Sequence, residues 1–356
     1  MDMSNLIKTA GQGAARMAAD VSPRAFMDFA IAQGWSDGLP MIPPTEDLVA
    51  EMVAGAGLPA DHVVCRVAPS EAPATVEKIA ANAVMAGCLP EYMPVIIAAL
   101  RAMEHPRFNL AGAQATTHPV APFVFVNGPI RQRIGLNCGS GALGQGTRAN
   151  ATIGRALRLV MIALGRGVPG KTDMATLGSP CKFTFCAGEN EEQSPWEPLH
   201  VEKGFAASDS TVLLHAAEGP HNIQEHASLT PDDLLKVFAS TINTLGNNNF
   251  GLCGEIMVLF SPEHATIVTK TGMSKDDVRV ELHRRMRQRF DGMGQRLRDW
   301  YRGHRPSTDV GPEVEDISYL DDPSQILIGV CGGAGLHSVV IHSLGGLSHH
   351  VIEKIS

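Results

Sequence analysis

The chain has 356 residues, 44% of them hydrophobic, and a formal net charge of −8, which describes a folded protein with a sizeable core and room for one large domain or two. The charge comes without long acidic or basic runs, so no electrostatic footprint for nucleic acid or an anionic membrane surface is present. No segment approaches the roughly 20 uninterrupted apolar residues of a membrane span, and the first residues lack an apolar signal core, so a cytoplasmic location is expected.

Residues 1–21 read as a loosely held leader. Ser22 and Pro23 then open a helix that Gly34 stops, with Phe26, Phe29 and Ala30 facing inward. The strip WSDGLPMIPPTED forms a loop with Asp37 at its tip, and Thr45 caps a second helix through about Ala54. Two segments then share one layout. The first runs from a strand at 62–67 through a polar loop and helices at 76–86 and 91–103 to a strand at 122–126. The second runs from a strand at 211–215 through the loop AEGPHNIQEH and a helix at 232–245 to a strand at 256–260. A long polar helix at 274–301 and a strand signal within 326–335 follow. Strands alternating with amphipathic helices argue for an α/β fold, expected here as two similar strand–helix–strand halves packed as a pseudo-twofold duplication behind an N-terminal helical extension. The corresponding divisions are 1–60, 61–200 and 201–356.

Chemistry is concentrated between these halves. In CKFTFCAGENEEQSPWEPLH, from Cys181 to His200, an apolar stretch at 183–186 runs into Glu189, Glu191, Glu192 and Glu197. Prolines 195 and 198 keep this cluster from becoming a charged helix. Several glutamates so close together cannot all ionise cheaply in a shielded pocket, so one carries a raised pKa and acts as an acid, or an arginine or metal neutralises the group. Trp196 supplies an apolar wall. Glu189, Glu192 and His200 are the expected proton-transfer groups, joined by His118 and His221 from flanking loops, and Cys186 ends the strand beside them.

The turn GSGALGQG, at 139–146, opens the helix RANATIGRALRLVMIALG and can offer backbone N–H groups to an anion. The preceding strand ends about a dozen residues too early and no acidic residue closes a βαβ unit, so no nucleotide cofactor is expected. A carboxylate is the expected ligand, held by Gly144, Gln145, Arg148 and Asn150, with Asp37, Asn127 and Trp196 completing the substrate-binding set. His221, Glu225 and His226 are the candidates for a divalent metal, at a spacing that is not the i, i+4 pairing of a zinc-protease helix. Seven cysteines, at 65, 88, 138, 181, 186, 253 and 331, form no disulfide framework, and reduced thiols are expected. Among them Cys88 is expected to be buried and inert, while Cys138 directly precedes the glycine turn, where N–H groups stabilise a thiolate.

The motifs WSDGLPMIPPT, NAVMAGCLPEYMPV, QATTHPVAP, NGPI, GQGTRANATIGRALRLV, FCAGENEEQSPWEPLH and AEGPHN together resemble a family of largely uncharacterised bacterial proteins associated with thioredoxin-like proteins that bear a Sec-Gly-Ser-Cys (UGSC) motif. The resemblance spans about 35–264. It implies no settled reaction, and Cys-Gly-Ser-Gly at 138–141 lacks the second cysteine of that motif. The expectation is therefore an enzyme acting on a small polar or anionic molecule by acid/base lyase or hydrolase chemistry. The alternatives are a thiol-dependent oxidoreductase using Cys138 or Cys186, and a non-catalytic protein that binds a small ligand. A homo-oligomer is expected.

Overall fold

A computed structural model describes residue 16 and residues 22–304 and 315–356; apart from Arg16, the expected leader lies outside the described residues. Two helices, Pro23–Ala32 and Glu46–Ala56, form the N-terminal extension. Twelve strands follow among the described residues. They are β1 (Val63–Val67), β2 (Ala72–Thr75), β3 (Ala121–Asn127), β4 (Cys186–Gly188), β5 (Thr211–Ala217), β6 (His221–Gln224), β7 (Ile256–Phe260), β8 (Arg287–Arg289), β9 (Asp316–Ser318), β10 (Ile326–Val330), β11 (His337–Ile341) and β12 (Val351–Lys354). β1 with β2 and β8 with β9 make two-stranded ribbons, while the other eight strands form two four-stranded sheets of order β12-β5-β3-β4 and β10-β7-β11-β6.

The two sheets pack face to face because their strands alternate between two apolar environments. Phe123, Phe125, Ala187 and Leu213 from the first sheet share one buried cluster with Met257, Leu259, Leu327 and Ile341 from the second. The opposite face of the first sheet, with Val124, Val126, Val212 and Leu214, is covered by the helices Val76–Ala86, Met93–Glu104 and Arg148–Ala163 through Ile79, Ile96, Leu100, Leu157 and Val160. The opposite face of the second sheet, with Ile256, Val258, Phe260 and Ile328, is covered by Pro231–Ile242 and Lys275–Arg285 through Leu234, Phe238, Val278 and Leu282. The architecture is thus a mixed α/β sandwich of helix, sheet, sheet and helix layers.

The sheets share a pattern of strand directions. β3 is parallel to β4 and antiparallel to β5, which is antiparallel to β12. Likewise β7 is parallel to β10 and antiparallel to β11, which is antiparallel to β6. The sheets do not divide at residue 200: β5 pairs along its whole length with β3, and the chain crosses to the second sheet only at β6, then returns for β12. The two strands matched in sequence, near 62 and near 211, are not equivalent in place, since β1 belongs to a separate ribbon and β5 to the centre of a sheet. β3 and β7, the other matched pair, do occupy corresponding positions.

The long helix expected over 274–301 is instead two helices, Lys275–Arg285 and Gln295–His304, with β8 between them. Met286 is fully buried, the Arg287 carbonyl accepts a hydrogen bond from Asn243 Nδ2 (2.7 Å), and β8 pairs with β9. Tertiary pairing there overrides helix propensity.

Candidate functional site

The parallel pair β3 and β4 ends beside the end of β10, so three carboxyl ends converge where α/β sheets generally bind ligands. The Asn190 N–H donates to the Val330 carbonyl (2.7 Å), and the Gly332 N–H donates to the Cys138 carbonyl (2.8 Å). Together these bonds bring the acidic segment, the start of the glycine turn and the end of β10 into one place. The two sheets meet here through polar groups rather than through the apolar layer.

Arg131, on the short helix after β3, is the centre of this cluster and is only 2% exposed. Its Nε donates to the Gly128 carbonyl (3.0 Å), and its Nη1 to the Glu189 carbonyl, to Glu192 Oε2 (3.2 Å) and to the Cys138 sulfur (3.4 Å). Nη2 reaches Glu191 Oε2 (2.7 Å) and Glu192 Oε1 (3.1 Å). A guanidinium suits this position because its planar fork serves several acceptors at once. The sequence alone hides the arrangement: IRQRIG reads as a basic surface turn, and its partners lie some 60 positions away.

The three glutamates have separate roles. Glu189 is fully buried, with Oε2 accepting from Leu199 N–H (2.7 Å) and Asn127 Nδ2, and Oε1 from Val330 N–H (3.3 Å). Burial pushes its carboxyl above the ordinary glutamate range, against the pull of Lys275, Leu199 and Asn127. Its partners are all N–H donors, so it clamps β3, β10 and the turn at Leu199 and has no acceptor to take a proton. Glu191 accepts from Gly128 N–H (2.7 Å) and Asn127 Nδ2 (3.1 Å). Glu192 is half-exposed, also accepts from Gln132 (2.7 Å), and is held below the usual carboxylate range by Arg131. Of the two alternatives expected for the cluster, Glu191 and Glu192 display the second, a buried arginine set against their carboxylates.

His200 lies behind Glu191, 1% exposed, with Nδ1 3.9 Å from Glu191 Oε1 and the ring also within reach of the Ala207 carbonyl. Burial lowers its pKa, opposed by the nearby Glu191 carboxylate. Cys138 is half-buried, and its thiol is pushed up by burial, while Arg131 pulls it down and the two glutamates push it up further. An open groove of about 470 Å³, lined by Gln193, Glu263, Ile267 and Leu336 among others, begins at the same acidic turn.

The remaining expected site residues lie elsewhere or serve the frame. His118 precedes β3 whereas Asn127 ends it, so a seven-residue strand, about 20 Å, separates His118 from the glutamates. Its Nε2 is 2.6 Å from Glu218 Oε1, and Glu218 is held low by that imidazole although burial raises it. His221 opens β6 after the same turn and belongs to that far end, so neither histidine converges on the acidic segment. Asp37 makes a two-pronged ion pair with Arg155 (2.7 and 3.0 Å), which ties the early loop to the 148–163 helix. Arg148 donates to the Gly87 carbonyl (2.8 Å). Asn150 bonds the backbone of Asn137 (2.8 and 2.9 Å) and Ala142 (3.1 Å), and so fixes the glycine turn, on which Gly144 and Gln145 are exposed. Trp196 faces the second core, its Nε1 donating to the Met273 carbonyl (3.0 Å) and its ring meeting Phe260 edge-on. Cys186 is sealed in the first core, where burial raises its thiol far out of the reactive range, and Cys88 is pushed up to about 12. Glu225 turns back on its own loop, accepting from Ala227 N–H (2.9 Å) and Ser228 N–H (2.5 Å), so it does not join His221 and His226. Among the described residues no group of three or more histidine, cysteine, aspartate or glutamate side chains is arranged to hold a metal, and no helix is long and apolar enough to cross a membrane.

Compared with models of known protein families and with curated proteins, the chain matches none.

Proposed function

We propose that the chain is an enzyme that transforms a small polar molecule by acid/base chemistry of lyase or hydrolase type, with Glu191 and His200 as the proton-transfer pair. The observation that carries this reading is the wholly buried His200 ring facing a carboxylate 3.9 Å away, with no direct hydrogen bond between them. A buried polar group left without a partner costs roughly 1–3 kcal/mol, and a substrate or water group entering between the ring and the carboxylate would complete a bond to each. Glu191 and Glu192 set against one arginine leave the centre with a surplus of negative charge, which favours a neutral or amine-bearing substrate over an anionic one. The shared strand directions of the two sheets support a duplication within the chain, and the motif resemblance supports membership of the UGSC-associated family. A homo-oligomer is part of the same proposal, and sedimentation velocity tests it.

The test is turnover across a panel of small amides, esters, amines and hydroxy compounds, followed by mass spectrometry. H200N should lower any conversion found by about 10²–10⁴-fold, while C138S retains it; full activity in H200N overturns the reading. A second reading, thiol chemistry at Cys138, is favoured by the contact of that half-exposed sulfur with Arg131. Under it C138S loses all activity and H200N does not. Glu192 then controls the thiol, so E192Q should speed alkylation of Cys138 by iodoacetamide at pH 8 several-fold.

A further inference from the structure

His226, in the loop after β6, and His337, the first residue of β11, approach each other on the surface of the second sheet. Their Nε2 atoms are 3.3 Å apart, the ring centroids are 5.1 Å apart, and the ring planes stand at 85°. The pair joins positions 111 residues apart in sequence. The sequence hides it, because His226 stands nearest to His221 and Glu225 there and His337 is remote.

A direct hydrogen bond explains this geometry poorly. A head-on contact at the observed nitrogen separation would hold the centroids about 5.6 Å apart, given a ring radius of about 1.15 Å. Two imidazoles bound to one tetrahedral ion at 2.0–2.1 Å instead place their nitrogens about 3.3 Å and their centroids about 5.2 Å apart. Both observed separations match the second arrangement. The orientation of His337 is set from behind, because its Nδ1 lies 3.3 Å from Asn222 Oδ1 on the neighbouring strand. With the proton on Nδ1 donated to that oxygen, Nε2 keeps its lone pair for a ligand, the outer-shell arrangement usual for metal-bound histidine.

We propose that His226 and His337 form a two-histidine site for a divalent transition-metal ion of nitrogen preference, such as Zn²⁺, Ni²⁺ or Cu²⁺, with water in the remaining positions. The site is independent of the acid/base centre and stands whether or not that reading holds. Both residues are at the surface, so the ion is exchangeable, and it links the loop after β6 to the start of β11.

The experiment is calorimetric titration of the metal-stripped full chain with Zn²⁺ and Ni²⁺ at pH 7.5, beside the absorption spectrum of the Co²⁺-loaded protein. H226A and H337A should each weaken a single-equivalent binding event at least tenfold and abolish the tetrahedral Co²⁺ band. N222A should weaken it by a smaller factor, and all three variants should keep the far-UV circular dichroism of the parent chain. The proposal is overturned if the parent chain binds no stoichiometric metal, or if H226A and H337A, folded, bind it as tightly as the parent.

Discussion

Arg131 satisfies acceptors on Gly128, Glu189, Glu191, Glu192 and Cys138 from a position almost closed to water. Removing the arginine leaves the shielded Glu191 carboxylate and the Glu189 carbonyl without their partner, while half-exposed Glu192 stays hydrated, and a buried charge stranded in this way costs about 3–5 kcal/mol. R131M is therefore expected to lower the free energy of urea unfolding by that amount, and E191Q/E192Q in the same chain to recover part of it. Unchanged stability in R131M would mean that the carboxylates are hydrated after all. His215 makes a second prediction at this scale. It is fully buried within β5, and desolvation lowers its pKa to about 4, with Glu255 opposing the shift. A histidine whose folded pKa is depressed binds its proton in the unfolded chain first, so its contribution is complete above about pH 6.5 and is lost as pH falls toward 4. The loss amounts to about 3 kcal/mol at roughly 1.4 kcal/mol per pH unit. H215L should flatten the fall in urea midpoint over that window, and an equally steep fall would assign it to other groups. Neither residue announces itself in the sequence, because pairing across 60 positions and burial inside an alternating strand leave no local signal.

The elements were more legible than their contacts. Apolar runs with strand periodicity located β3, β5, β7 and β10 to within a residue or two at most ends, and the Ser-Pro, Thr-Pro and glycine signals bounded the helices Pro23–Ala32 and Pro231–Ile242. The pairing of β5 with β3 was not legible, since hydrophobic alternation says which face of a strand is buried and not against which strand it lies. The acidic segment stands out in the sequence as a cluster of carboxylates, but nothing local shows that Glu189 receives N–H donors from three separate stretches of chain and so acts as a clamp. The turn after β3 shows how element and site depend on each other. Gly128 adopts φ +84°, and a Cβ there would overlap the Asp209 carbonyl, while its N–H holds Glu191. G128A should therefore destabilise the fold by at least 1 kcal/mol and lower turnover together, the first read by thermal unfolding and the second by the substrate panel. Loss of neither would show that the turn relaxes without cost.

At the scale of the whole molecule, the first sheet is completed by a strand that the chain delivers only after building the second: β6 leaves β5 for the second sheet, and β12 returns from β11 to the first. The return is anchored by the Lys354–Asp209 ion pair (2.6 Å) and by the Ile355 N–H donating to the Ser210 carbonyl (2.8 Å). Removing residues 349–356 should open the β5 edge and lower hydrogen-exchange protection at 211–214 by at least tenfold, while β7 and β10 stay protected. Equal loss in both sheets would show that they unfold as one unit. The crossing also dictates a timetable for a chain emerging from the ribosome. β3, β4 and β5 are made early, yet their sheet has an unpaired edge until residues 351–354 have been translated, on the order of 10 s later at ordinary elongation rates. For that interval β5 presents the bare hydrogen-bonding groups that invite pairing with another chain, so this protein depends on cotranslational protection of its first half more than its finished, fully paired sheet would suggest.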